Sequence, residues 1–214
     1  MTARTRIKVC GMTQKADVEL AVQFGIDALG FIFVKESPRY ISPEKVRKIA
    51  ADVPPFVHRV GVFKNEDPAI VHEIVQYCGL SVVQLHGSEP PEYSETISCR
   101  VVKSFRVQAD TAPEFIESYR GAVDGFLFDT YQKGAAGGTG KTFDWQILRK
   151  FSPPGPIILA GGIGPDNVRE ALLEVKPFAV DVNSKVEIEP GIKDMEKIKA
   201  LIEEVRKVDL GLGE

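Results

Sequence analysis

Residues 157–174 read Ile157-Ile-Leu-Ala-Gly-Gly-Ile-Gly-Pro165-Asp-Asn-Val-Arg-Glu-Ala-Leu-Leu-Glu174, and the order in which these residue types follow one another decides the fold. A short β-prone apolar run comes first, then a glycine-rich turn, then proline and a helix-forming stretch. The apolar run does not alternate with polar residues. Parallel strands covered by helices on one face and by a core on the other have this pattern. The segment is one strand–turn–helix unit, with the helix predicted over 165–174.

The same unit recurs on both sides of it. Further strands are predicted at 7–10, 28–33, 59–63, 82–85, 101–105, 125–128 and 179–183. Between them lie helix signals. Thr13 is a candidate cap for a helix that Gly25 ends, while Ser42-Pro43 and Asp67-Pro68 each set a capping side chain before proline at the first helical position. Gly79 is placed to close the helix that Asp67 opens. Helices are also predicted at 91–97, 112–119, 145–150 and 193–207; in the last, Met195, Ile198, Leu201, Ile202 and Val205 form one apolar stripe. Eight units in 214 residues leave about 27 residues each, enough for a strand, a helix and two short loops. The alternation fits an open doubly wound sheet or a closed barrel. Eight units, with no glycine fingerprint opening the first helix, favour a single-domain α/β (β/α)8 TIM barrel spanning 1–214.

Composition narrows the function. With a net charge of −3 the chain lacks the clustered basic surface that nucleic acid requires. No apolar run approaches the length of a membrane span, and the first residues leave no room for a signal peptide. Cys10, Cys78 and Cys99 are too few and too scattered for a disulfide framework or a zinc site. The expectation is a soluble, cytoplasmic protein without membrane, nucleic-acid or metal partners.

Barrels of this kind carry their chemistry at the C-terminal ends of the strands. There stand Cys10, Asp129, Gly161-Gly162 and Asp181 with Asn183-Ser184; the loop after strand two carries Arg39, and strand four runs into His86. Cys10 reads as a nucleophile or base, or as a buried apolar side chain; Lys8, on the same strand face, would draw it toward thiolate. Asp129 follows Phe126-Leu-Phe128, whose apolar approach would raise its pKa toward that of a general acid; a loop-ordering role is the alternative. Asp181 reads as catalytic or orienting. Gly161 and Gly162 leave backbone N–H groups bare for phosphate, or form only a tight turn. Arg39 suits a carboxylate, or faces solvent. His86 contacts ligand or closes a loop. The Gly134–Thr142 stretch imitates a P-loop, yet Ala135 stands where the motif needs glycine. It reads instead as a glycine lid containing Gly137, Gly138 and Gly140.

Taken in order, Lys8-Val-Cys-Gly11, Gly30-Phe-Ile-Phe33, Ser37-Pro-Arg39, Val83-Gln-Leu-His-Gly87, Phe128-Asp-Thr130, Gly137-Gly-Thr-Gly140, Phe143-Asp-Trp145, Leu159-Ala-Gly-Gly162, Asn167-Val168, Asp181-Val-Asn-Ser184, Val186-Glu187, Pro190-Gly191 and Lys193-Asp194 resemble the phosphoribosylanthranilate isomerase family. The resemblance implies an Amadori rearrangement in tryptophan biosynthesis, on a small phosphoribosyl substrate, with no metal or cofactor. It implies Asp129 as acid, Cys10 as base, and Arg39 on the anthranilate carboxylate. Gly161, Gly162, Asn183 and Ser184 would hold the phosphate, with His86 and Asp181 also lining the substrate. A monomer or a homodimer is expected. The family commonly has Ser-Ser-Gly after strand eight, whereas Asn183-Ser184-Lys185 stands here and removes easy access to positive φ. The histidine-pathway isomerase family uses aspartate where Cys10 stands, indole-glycerol-phosphate synthases carry a lysine at the end of strand one, and a binding-only barrel needs neither Cys10 nor Asp129.

Overall fold

The structure, a computed structural model, describes residues 4–107, 111–129, 145, 148, 151 and 153–212. Each apolar run forms a strand: β1 Arg6–Val9, β2 Ala28–Ile32, β3 His58–Phe63, β4 Val82–Leu85, β5 Arg100–Arg106, β6 Gly125–Asp129, β7 Ile157–Ala160 and β8 Ala179–Val182. They close into a parallel barrel in chain order, with Arg6 through Val9 pairing against Ala179 through Val182 at the seam. The TIM barrel expected from the alternation is present.

Outside the strands run α1 Lys15–Gln23, α2 Pro43–Ile49, α3 Pro68–Cys78, α4 Pro113–Glu117, α5 Val168–Val175 and α6 Met195–Asp209. Their starts follow side-chain chemistry. Ser42 accepts from Lys45 N–H, Asp67 from Ala69 N–H, and Asp194 from Glu196 and Lys197 N–H, so each satisfies donors that the first helical turn leaves unpaired. Gly79 takes the left-handed conformation that ends α3. The stripe Ile198, Leu201, Ile202 and Val205 of α6 is buried.

Four local expectations are corrected. Thr13 does not cap α1: Gln14 holds that position without a side-chain capping bond, and the Thr13 hydroxyl donates to Gly191 O at 2.5 Å. Residues Pro91–Thr96 form a 3-10 turn rather than an α-helix. The helix after β7 starts at Val168, not at Pro165. A hairpin, β9 Glu187–Glu189 and β10 Ile192–Lys193, follows β8, so the last helix starts at Met195 rather than at Lys193. The expected 145–150 helix is described only at Trp145 and Leu148, both buried.

Strand side chains divide between two cores. Val9, Leu29, Phe31, Val83, Leu85, Phe126, Phe128, Leu159 and Val180 belong to the large apolar layer shared with the helices. Inside the barrel, Cys10, Ile32 and Val62 pack together near the C-terminal end. At the opposite end a hollow of about 420 Å3 is lined by residues that include Val60, Val82, Val102 and Leu127. Among the described residues no helix is long and apolar enough to cross a membrane.

Candidate active site

β1 and β8 share a buried ion pair. Lys8 and Asp181 are register partners, and Lys8 Nζ donates to Asp181 Oδ2 at 2.7 Å with both side chains 8% exposed. A pair so buried survives only because each charge offsets the other's lost hydration. Asp181 Oδ1 is buried with no partner among the described residues, and burial pushes this carboxyl up against the downward pull of Lys8. Asp181 therefore points into the barrel, as expected.

Cys10 directly follows β1, two residues beyond Lys8. Burial raises the thiol pKa, and the nearby ammonium of Lys8 only partly opposes it. The expected bias toward thiolate is thus corrected: Lys8 pulls in that direction, but desolvation outweighs it. Gly30 permits the arrangement, since a Cβ there would lie 2.7 Å from Cys10 Sγ.

Asp129 ends β6. Strand alternation turns Phe126 and Phe128 outward, where Phe128 stacks on Phe151 at 6.0 Å between ring centroids. They do not supply the desolvation expected of them; of the three residues only Leu127 shares the carboxyl's face. The Asp129 side chain is 19% exposed, and His86 Nε2 stands 3.8 Å from its Oδ2, beyond hydrogen-bond length. Burial lowers the His86 pKa, which keeps the imidazole neutral near neutrality, and Nδ1 is buried without a partner among the described residues. His86 is accordingly a neighbour of Asp129, and its backbone N–H donates to Phe63 O at 2.8 Å.

Arg39 reaches the mouth because the loop after β2 doubles back, with Arg39 N–H donating to Ser37 Oγ and Ile41 N–H to Ile32 O. It is not a solvated loop arginine. Its Nε lies 3.0 Å from both oxygens of Glu187, and its Nη2 lies 2.6 Å from Oε2. Glu187 also accepts from Lys193 Nζ at 2.8 Å and from Gly191 N–H, while Lys193 Nζ donates on to Asn183 Oδ1 at 3.1 Å. Burial raises the Glu187 pKa, but these donors together bring it below the ordinary carboxylate value. Gly11, at φ +74°, fits under this cluster: a Cβ there would sit 2.8 Å from both Arg39 Cδ and Asn183 Oδ1.

After β7, Gly161 and Gly162 adopt φ of +88° and +72°, and nothing crowds Gly162. The turn is held by Asn167, whose Oδ1 accepts from Gly164 N–H and whose Nδ2 donates to Gly162 O. Gly164 N–H is therefore already occupied, so any anion here would use other donors. Across the turn Ser184 is exposed and Asn183 half-buried. Residues Ser184–Val186 form a 3-10 turn with no left-handed residue, so Lys185 in place of glycine carries no backbone strain. Lys185 lies against Gly164 and points toward Asp166, with Nζ 3.9 Å from Oδ2.

Sequence spacing gives no sign of the Arg39–Glu187 pairing, because the two lie 148 positions apart. Asn167 has a weak signal, a turn-forming residue just past a glycine cluster. Gly137, Gly138 and Gly140, together with the rest of the proposed lid, lie outside the described residues. Among the described residues no group of three or more His, Cys, Asp or Glu is placed to hold a metal ion.

Comparison with known proteins agrees with this fold. A family model described as N-(5'phosphoribosyl)anthranilate (PRA) isomerase matches residues 7–204. N-(5'-phosphoribosyl)anthranilate isomerase of Geobacter sulfurreducens is 48% identical over 197 residues, covering 92% of this chain and 96% of its own. The crystal structure of phosphoribosyl anthranilate isomerase from Thermotoga maritima superposes with a TM-score of 0.83 at 42% identity, over 94% of this chain and 98% of that one. A crystal structure of the same enzyme type in complex with reduced 1-(o-carboxyphenylamino)-1-deoxyribulose 5-phosphate gives a TM-score of 0.80 at 39% identity, with the same coverage. A barrel with this mouth, matched along nearly its whole length, belongs to the N-(5'-phosphoribosyl)anthranilate isomerase family.

Proposed function

We propose that the chain works as one barrel domain over residues 1–214. In this reading it isomerises N-(5'-phosphoribosyl)anthranilate to 1-(o-carboxyphenylamino)-1-deoxyribulose 5-phosphate at the C-terminal mouth. The observation that carries the residue assignment is that Cys10, directly after β1, and Asp129, at the end of β6, both stand at that mouth. Two proton-transfer groups on separate strands can serve two positions of one sugar.

Asp129 protonates the furanose ring oxygen, and the ring C1–O bond breaks as the aryl nitrogen lone pair forms a Schiff base at C1. Cys10, as thiolate, takes the proton from C2, and the electron pair of that C–H bond moves toward the iminium to give an enolamine. Loss of the enol hydroxyl proton and protonation at C1 leave the ketone. Neutral His86 beside Asp129 and buried Asp181 beside Lys8 line the sugar. The end-on edge of Arg39 takes the anthranilate carboxylate, and backbone groups of Gly161, Gly162, Asn183 and Ser184 take the phosphate. Gly137, Gly138 and Gly140 close over the bound substrate. The catalytic unit is a monomer or a homodimer, acting in the cytoplasm on a small molecule alone.

The test is turnover of freshly prepared phosphoribosylanthranilate, followed as loss of anthranilate-type fluorescence. The rate should be unchanged by a chelator. Well-folded protein that leaves the substrate intact would sink the activity, and a chelator-sensitive rate would sink the metal-free step.

A further inference from the structure

The hairpin that follows β8 adds to the mouth a carboxylate whose use goes beyond holding the hairpin. As a latch for β9–β10, Glu187 needs only Gly191 N–H and Lys193, both on its own segment. It nevertheless spends both oxygens on Arg39, which arrives from the loop after β2. The fork is side-on, through Nε and Nη2. A guanidinium has five N–H donors in one plane, and a side-on fork leaves its end-on edge open. Among the described residues the Arg39 guanidinium meets no acceptor besides Glu187.

Two consequences follow from burial and charge. The side chains of Glu187 and Lys193 are 4% and 0% exposed, and that of Arg39 is 18% exposed, so the carboxylate is sealed while the guanidinium keeps access to the mouth. The cluster Arg39, Lys193 and Glu187 sums to one positive charge, enough for a single carboxylate and too little for a dianion. Asn183, bonded to Lys193 Nζ, ties the same cluster to the phosphate end of the mouth.

We propose that Glu187 is a positioning residue for substrate recognition, fixing Arg39 so that its open edge meets the substrate's ring carboxylate. This rests on the reading of Arg39 as the carboxylate binder, and the test separates the two. The probes are reduced 1-(o-carboxyphenylamino)-1-deoxyribulose 5-phosphate and its counterpart lacking the carboxyl group, each titrated directly onto the folded protein. Steady-state turnover of phosphoribosylanthranilate is measured alongside.

In Glu187→Gln the amide sets an N–H donor against the donors of Arg39. Affinity for the carboxylated probe should fall about tenfold or more, the loss expected when a charge-assisted fork is misaligned. Affinity for the probe without the carboxyl should change less than about twofold, and KM should rise while kcat stays within about threefold. Glu187→Asp keeps the charge but falls short of the fork, and should shift the two probes in the same unequal way; it carries the test if the glutamine variant fails to fold. Arg39→Met should erase discrimination between the probes, and adding Glu187→Gln to it should change nothing more.

Equal losses on both probes in the Glu187 variants would make Glu187 a structural latch and overturn the proposal. So would unchanged discrimination in those variants while Arg39→Met abolishes it. Discrimination that survives Arg39→Met removes the carboxylate role of Arg39 itself, and the role of Glu187 with it.

Discussion

The two side chains proposed as base and acid stand in unlike surroundings. Cys10 is sealed among Ile32, Val62 and the Lys8–Asp181 pair, whereas Asp129 stands at the mouth beside a neutral imidazole. Cys10→Ser and Asp129→Asn should each lower kcat by about two orders of magnitude or more, the usual loss for a proton-transfer group; near-normal kcat in either variant takes that residue out of its role. Burial raises the Cys10 thiol, so the free protein holds little thiolate at neutral pH. Since the base acts deprotonated, kcat/KM should climb as pH rises through the alkaline range. A flat profile from neutrality upward would separate the rate from this thiol. Both residues were legible in the sequence because they end apolar runs, where barrel geometry puts function. Glu187 was not. Val186-Glu187 stood only as part of the family pattern, because the partner that gives Glu187 its place, Arg39, is 148 positions away in the chain.

At the level of elements, the strands are found within one residue of their expected bounds at every end, because a strand covered on both faces must be apolar almost throughout. Helix starts are less regular. Asp194 caps α6 with two backbone bonds, and Asp194→Ala should cost about 1 kcal/mol of unfolding free energy, read from urea denaturation. A change below a few tenths would mean that tertiary packing alone sets that helix end. Thr13 looks like a cap but is drawn instead to Gly191 O, a tertiary contact stronger than its local preference. The β9–β10 hairpin escaped the sequence reading because its strands are so short and Ile188 stands 72% exposed. No periodicity can build up in so few residues. Asn167 illustrates a middle case: its turn-forming character was visible, but its two bonds across the glycine turn were not.

For the whole molecule, buried carboxylates stitch loops that the barrel hydrogen bonds cannot reach. Glu89, 1% exposed, accepts from Asn65 N–H and Gly87 N–H and pairs with Lys103 at 3.0 Å, joining the segments after β3 and β4 to β5. Burial raises the Glu89 pKa, but these donors bring it below the ordinary 4.5, as they do for Glu187. Their stabilisation is therefore complete above that value and is lost as pH falls through the lower folded-state values. The urea midpoint should drop on acidification below about pH 4.5. Glu89→Gln, which strands Lys103, should cost about 3–5 kcal/mol at neutral pH. A midpoint insensitive to acid would show that these carboxylates titrate alike folded and unfolded. The seam between β1 and β8 has a further consequence, for synthesis rather than stability. Arg6 leaves the ribosome long before Ala179, its partner. At about 5–20 residues per second, the nascent chain carries β1 with one edge unsatisfied for roughly ten to thirty seconds. Over that interval Lys8 lacks its counter-charge Asp181, so the last barrel strand to be made both closes the ring and neutralises the charge buried on the first.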